Sequence, residues 1–102
     1  MAWDWDYKEV EADLETRFVR VVEAYGWVAR KLRYDGRNGA ADRICYGPGG
    51  RFALAELKNG GSGRLSKPQR DEIAEMAKLG IKVWVIKTNL DIEAFAAEVL
   101  KR

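Results

Sequence analysis

The sequence predicts an α/β domain, a mixed central sheet flanked by helices in the order α-β-β-β-α-β-α, as a single unit over residues 1–102. Three observations carry this: apolar residues recur at helical spacing near both ends, short segments alternate apolar with polar, and helix start and stop signals and glycine-bearing turns separate them. Residues from about 5 to 25 read as an amphipathic helix through Tyr7, Val10, Leu14, Phe18, Val21, Val22 and Tyr25, stopped by Gly26. Residues 27–33 alternate apolar and basic, as a half-buried strand does, and lead into the turn-rich Asp35-Gly36-Arg37-Asn38-Gly39. Strands near 41–46 and 52–58 flank Gly47-Pro48-Gly49-Gly50 and form a hairpin. Ser66-Lys67-Pro68-Gln69 fits a capping box at the start of the next helix, which ends at Gly80. Residues 81–87 alternate as a strand, and Thr88 or Asp91 caps a last helix through Ile92, Phe95, Val99 and Leu100.

Composition narrows the chemistry. Hydrophobic residues make up 47% and charged residues 33%, the balance of a globular protein, and no apolar run is long enough to span a bilayer. The acidic start Met-Ala-Trp-Asp-Trp-Asp has no signal core, so a cytoplasmic location is expected, that of a bacterial host if the chain is phage-encoded. Cys45 is the only cysteine and histidine is absent, which excludes an internal disulfide, a multi-cysteine metal site, a histidine general base and histidine-bound zinc. What remains is carboxylate, lysine and hard-cation chemistry.

The net charge of +2 is unevenly spread: residues 1–29 carry −4, residues 30–70 carry +7 and residues 71–102 carry −1. A phosphate-bearing partner would be drawn to the middle of the chain, where Arg37, Arg43, Arg64, Lys67 and Arg70 are the candidate DNA contacts. A solvated basic surface is the plainer reading of the same charges. The loop Asn59-Gly60-Gly61-Ser62-Gly63 lacks the Gly-Lys-Ser/Thr ending of a nucleotide-binding loop, so no nucleotide cofactor is expected.

The strongest chemical signal is a strand register. Side chains alternate along a strand, so Phe52, Leu54, Glu56 and Lys58 share a face, as do Tyr46, Ile44 and Asp42 on the preceding strand. A five-residue loop would pair Tyr46 with Phe52, Ile44 with Leu54 and Asp42 with Glu56, matching apolar with apolar and setting two carboxylates opposite each other. Like charges so placed cost up to about 1 kcal/mol, more if buried. Lys58 or a divalent cation would offset them, and Mg²⁺ suits a shallow two-carboxylate site, with the Leu57 carbonyl as a further ligand. That arrangement hydrolyses phosphodiesters: the cation polarises a phosphoryl oxygen while the Lys58 ammonium orients water. Taken alone, Glu-x-Lys is common and reads as a structural ion pair. Glu11 and Glu15 lie in or beside the apolar stripe of the first helix and want partners there.

These residues resemble the VRR-Nuc (virus-type replication-repair nuclease) branch of the PD-(D/E)xK nuclease superfamily. Gly39-Ala40-Ala41-Asp42-Arg43-Ile44, then Gly49-Gly50-Arg51-Phe52 running into Ala55-Glu56-Leu57-Lys58, looks like the family's Asp and Glu-x-Lys core. Gly63-Arg64-Leu65-Ser66 followed by Gln69, and then Leu79-Gly80, resembles the segment beyond it, so that the likeness runs from about Leu14 to Lys87. Ala41 departs from the family, which often has Pro there. The resemblance implies a restriction-endonuclease-like core, Mg²⁺ or Mn²⁺, and DNA cleavage. It assigns metal binding to Asp42 and Glu56, water activation to Lys58, support to Gln69, and the first-helix acid to Glu15 rather than Glu11. It also implies a homodimer acting on branched DNA such as a Holliday junction. Trp3, Trp5, Trp27 and Trp84 are candidates for the dimer surface, although buried core is the commoner fate of any one Trp. A non-catalytic DNA-binding module, or a restriction-type or RNA nuclease on the same fold, would carry many of the same features.

Overall fold

Among the described residues Asp13 starts the first helix, its carboxylate accepting the Thr16 N–H at 2.7 Å in place of a missing backbone partner. The computed structural model describes residues 13–58 and 64–101. Helix α1 spans Leu14–Ala24 and buries Leu14, Phe18, Val21 and Val22, one stripe at helical spacing. It ends in a Schellman turn: the Trp27 N–H reaches back to the Val22 carbonyl, the Gly26 N–H to that of Glu23, and Gly26 takes the left-handed φ of 82° that the turn requires. The part of the expected first helix before Asp13, with Tyr7, Val10 and Glu11, lies outside the described residues.

Strands β1 (Val28–Lys31), β2 (Arg43–Tyr46), β3 (Phe52–Leu57) and β4 (Val83–Ile86) form one sheet in that order. The first two pairings are antiparallel and β3–β4 is parallel, so the sheet is mixed. The parallel pair needs a long crossover, which α2 (Lys67–Lys78) supplies. Ser66 and Gln69 form the capping box at its start, and Gly80 closes it with a second Schellman turn in which the Ile81 N–H bonds the Met76 carbonyl at 2.9 Å. Helix α3 (Asn89–Phe95) begins with a capping box too: Thr88 is the cap and Asp91 its reciprocal partner, so both residues expected to start it do so. Beyond Phe95 the helix widens, the Lys101 N–H reaching five residues back to the Ala96 carbonyl at 3.0 Å, a π-type turn.

The strand alternation divides the core into two faces. Ala29, Cys45, Ala53, Ala55 and Ile86 pack against Phe18, Ile92, Phe95 and their neighbours from α1 and α3. Phe95 is the hub, its ring 5.2 Å from Phe18 and edge-on to Trp84 at 5.4 Å. On the opposite face Ala41, Leu54 and Val83 pack with Ile73, Met76 and Ile81 beneath α2. Burial in the first of these clusters pushes the Cys45 thiol up to about 12, which leaves it an inert core residue.

Trp27 is buried and so offers no outer docking face, Trp84 is half-buried against the core, and Trp3 and Trp5 lie outside the described residues. Trp27 instead floors the β2–β3 hairpin: a Cβ on Gly47 would sit inside its indole ring. Gly47→Ala should therefore cost about 1–3 kcal/mol through overpacking, read as a lower urea midpoint with unchanged slope.

Candidate active site

The hairpin register places the acids. Tyr46 lies opposite Phe52, Ile44 opposite Leu54 and Arg43 opposite Ala55, so one more step along β2 brings Asp42 beside Glu56. Asp42 sits just past the regular ladder and is held twice. Its carbonyl accepts the Leu32 N–H at 3.1 Å, and its Oδ2 accepts the Leu57 N–H at 2.7 Å. That second bond ties the Asp42 carboxylate to the backbone of the strand that carries Glu56. Alternation then points Glu56 to the α2 side of the sheet, the face of Leu54.

Glu56 is almost wholly buried, at 1% exposure. Its Oε1 accepts a hydrogen bond from Gln69 Nε2 at 2.8 Å, whereas its buried Oε2 has no hydrogen-bond partner among the described residues. Burial first, and then the neighbouring Asp42 carboxylate, push the Glu56 carboxyl up to about 7; the Lys58 charge opposes them. Gln69 serves two partners at once, because its Oε1 accepts the Ser66 N–H at 2.8 Å while its Nε2 holds Glu56. The helix cap thus fixes which end of the amide faces the acid. Lys58 extends the β3–β4 alignment, its N–H bonded to the Ile86 carbonyl at 2.9 Å, and stands just past β3, two residues beyond Glu56.

The first-helix acid behaves differently from what the resemblance implies. Glu15 is paired with Arg43 at 2.9 Å. Arg43 alternates with Ile44 and so lies on the α1 side, with its side chain only 14% exposed. The Glu15 charge is therefore taken up by Arg43, away from the face of Glu56, and Arg43 is turned inward rather than out toward DNA. Among the described residues no group of three or more acidic, histidine or cysteine side chains converges, so the acid pair stands as a pair.

The remaining basic candidates gather near the start of α2. Arg37 and Lys67, with Asn38, Pro68 and Asp71, line a groove of about 350 Å³. Lys67 pairs with Asp71 at 2.7 Å and Arg37 with Glu72 at 3.0 Å. Arg64 is exposed, and Arg70 donates to the Leu65 carbonyl at 2.8 Å. Sequence reasoning passes over Glu72, which is buried and takes hydrogen bonds from Tyr34 and Arg37. A signal for it exists: Gln69, Glu72, Ile73 and Met76 make one helical stripe, so a charge at position 72 has to face inward.

The donor set fits a hard divalent cation. Two carboxylates meet in a nearly dry place, one buried oxygen lacks a proton donor among the described residues, and Lys58 is the charge that opposes them. Oxygen ligands that few in number suit Mg²⁺ or Mn²⁺, which keep several waters. No protein-family model and no curated protein matches the sequence. Among solved structures, a chain described as a VRR_NUC domain matches with a TM-score of 0.74 and 27% sequence identity, over 86% of this chain and 99% of that one.

Proposed function

Since the chain belongs to the VRR-Nuc family and has its nuclease-type fold, we propose that it is a Mg²⁺- or Mn²⁺-dependent endodeoxyribonuclease, selective for branched DNA of the Holliday-junction kind. The observation that carries this reading is Glu56: a buried carboxylate with one oxygen bonded to Gln69, the other without a donor among the described residues, and a second carboxylate beside it. A packing role alone would favour an apolar residue there, because an unpaired buried acid destabilises the fold.

Asp42 and Glu56, with the Leu57 carbonyl, are the groups that would hold the cation. When bound, it supplies Lewis acidity toward a phosphoryl oxygen and makes a neighbouring water more acidic. The chain does the rest. The Leu57 N–H and the Gln69 amide each fix one oxygen of an acid, so the carboxylates need little reorganisation on binding. Lys58 presents an ammonium group that orients the attacking water and offsets the charge growing on the phosphate. Arg37, Arg64, Lys67 and Arg70 supply the sequence-independent attraction for the backbone. The Glu15–Arg43 pair acts on the far side of β2 as a structural tie.

The test is a panel of labelled four-way junction, flap, linear duplex, single-stranded DNA and RNA, incubated with Mg²⁺ or Mn²⁺. Paired nicks in the junction, lowered about 10²- to 10⁴-fold in Lys58→Met, are the expected result. Metal-independent binding without cleavage would point instead to a DNA-binding module, and cleavage confined to RNA or to a short duplex sequence to another nuclease class.

A homodimer would let two sites address two strands. Val28, Tyr46 and Phe52 form one transverse row across β1, β2 and β3, and all three are exposed, at 38%, 49% and 51%. We assign this row to the dimer contact in place of the tryptophans. Tyr46→Asp combined with Phe52→Asp should convert a dimer to a monomer in light scattering while leaving the far-UV spectrum intact; a dimer that survives both changes would rule the row out.

A further inference from the structure

A buried acid with both oxygens occupied does something different from one with an oxygen left over. Glu72 Oε2 accepts the Tyr34 hydroxyl at 2.6 Å and its Oε1 accepts Arg37 Nη2 at 3.0 Å. Those bonds give each oxygen of the acid a donor, in contrast to Glu56, whose Oε2 has none among the described residues. Its partners decide its use. Tyr34 and Arg37 belong to the segment that leaves β1 and delivers Asp42 to the site, while Glu72 lies one helical turn beyond Gln69 on α2. Between them the segment touches α2 directly: a Cβ on Gly39 would come within 2.5 Å of the Pro68 carbonyl oxygen and 3.4 Å of Glu72 Cβ. Gly39 also holds a φ of 101°, so a side chain at this crossing is excluded by contact and by backbone conformation alike.

We infer that Glu72 is a positioning residue of the site, a clamp that ties the Asp42-bearing segment to the Gln69-bearing helix through Tyr34 and Arg37. The two carboxylates come from the two strands of one hairpin; the Leu57 N–H orients Asp42 from within it and Gln69 orients Glu56 from outside it. Asp42 depends on a long irregular segment for its approach, and Glu56 depends on Gln69. The segment meets α2 outside any strand ladder, so its distance from the helix is set by the Gly39 crossing and by the two bonds to Glu72. A charged acceptor strengthens both bonds and limits the segment's drift. Tyr34 contributes a second sign of the same contact, since its hydrogen bond to Glu72 and its own burial raise its hydroxyl above the ordinary tyrosine value. Arg37 remains 64% exposed on its outer side, so the clamp also presents a guanidinium to the groove beside Lys67.

This inference rests on the nuclease reading, and its experiment separates the two. Glu72→Gln and the milder Tyr34→Phe are compared with the unaltered chain in three measurements: hydrogen exchange at the Leu57 amide, Mn²⁺ affinity by paramagnetic titration, and kcat with KM on the preferred DNA. The clamp predicts faster Leu57 exchange, because that N–H is held by Asp42, together with Mn²⁺ affinity and kcat each lowered about 10- to 100-fold, and KM unchanged. Tyr34→Phe should give the smaller effect in the same direction. Unchanged Leu57 protection in both variants would overturn the clamp, whatever the metal does. Faster Leu57 exchange in a chain that binds no Mn²⁺ before substitution would uphold the clamp and remove the nuclease reading.

Discussion

Glu56→Gln should leave the protein better folded and unable to cut DNA. At about pH 8 the Glu56 carboxyl, pushed up to about 7, is mostly ionised in a site closed to solvent. An amide removes that buried charge, keeps an oxygen for Gln69 Nε2, and gains N–H groups to donate toward Asp42. Relief of desolvation and of repulsion from Asp42 should stabilise the cation-free protein by about 1–3 kcal/mol. For a domain of this size that is roughly 5–15 °C in Tm. Activity should move the other way. On the proposed function, losing one of two carboxylate ligands would remove both affinity for the cation and the charge that organises the site, a fall of about a thousandfold or more. Calorimetry and a cleavage assay on the same preparation check both halves. Loss of activity with loss of stability would mean that Glu56 is a structural acid whose removal merely disturbs the fold.

The unaltered protein should lose stability as pH rises through neutrality, unless a divalent cation is present. Glu56 is raised from 4.5 to about 7 in the folded state, so the folded chain holds this proton more tightly than the unfolded chain. The stabilisation is complete below about pH 4.5 and disappears as pH climbs through about 7. The difference amounts to something on the order of 3 kcal/mol, since each tenfold gain in proton affinity is worth about 1.4 kcal/mol. Other displaced groups act elsewhere. Asp13 is lowered, chiefly by the Thr16 backbone hydrogen bond, and matters only in acid; Tyr34 and Cys45 are raised and matter only in alkali. Between about pH 5 and pH 8, Glu56 is therefore the group in control among the described residues. A cation binds the ionised form, so millimolar Mn²⁺ should raise Tm strongly at about pH 8 and hardly at about pH 5. Scanning calorimetry across that range, with and without Mn²⁺, reads the effect, and Glu56→Gln should flatten both curves. A Tm that rises with pH in the absence of metal would contradict the assigned burial of this acid.

Much of the site follows from short-range rules. The hairpin register follows from matching apolar residues within a few positions of one turn, and the structure has Tyr46 opposite Phe52 and Ile44 opposite Leu54 as that matching requires. The capping boxes at Ser66 and Thr88 and the Schellman turns at Gly26 and Gly80 are local patterns of the same kind. Ends of strands are less legible. The segment 27–33 alternates throughout, yet β1 keeps only Val28–Lys31, because beyond the Leu32–Asp42 bond the chain leaves the ladder to reach α2.

By itself, then, the amino-acid order determined the succession of helices and strands, the shared face of Asp42 and Glu56, and the place of Gln69 in a helix cap. Tertiary structure alone decided that Glu15 turns to Arg43, that Trp27 lies under the hairpin, and that Glu72 grips Tyr34 and Arg37. The reason is range: alternation and caps are written within a handful of neighbours, whereas a buried charge takes whichever partner the packed chain carries to it from far along the sequence.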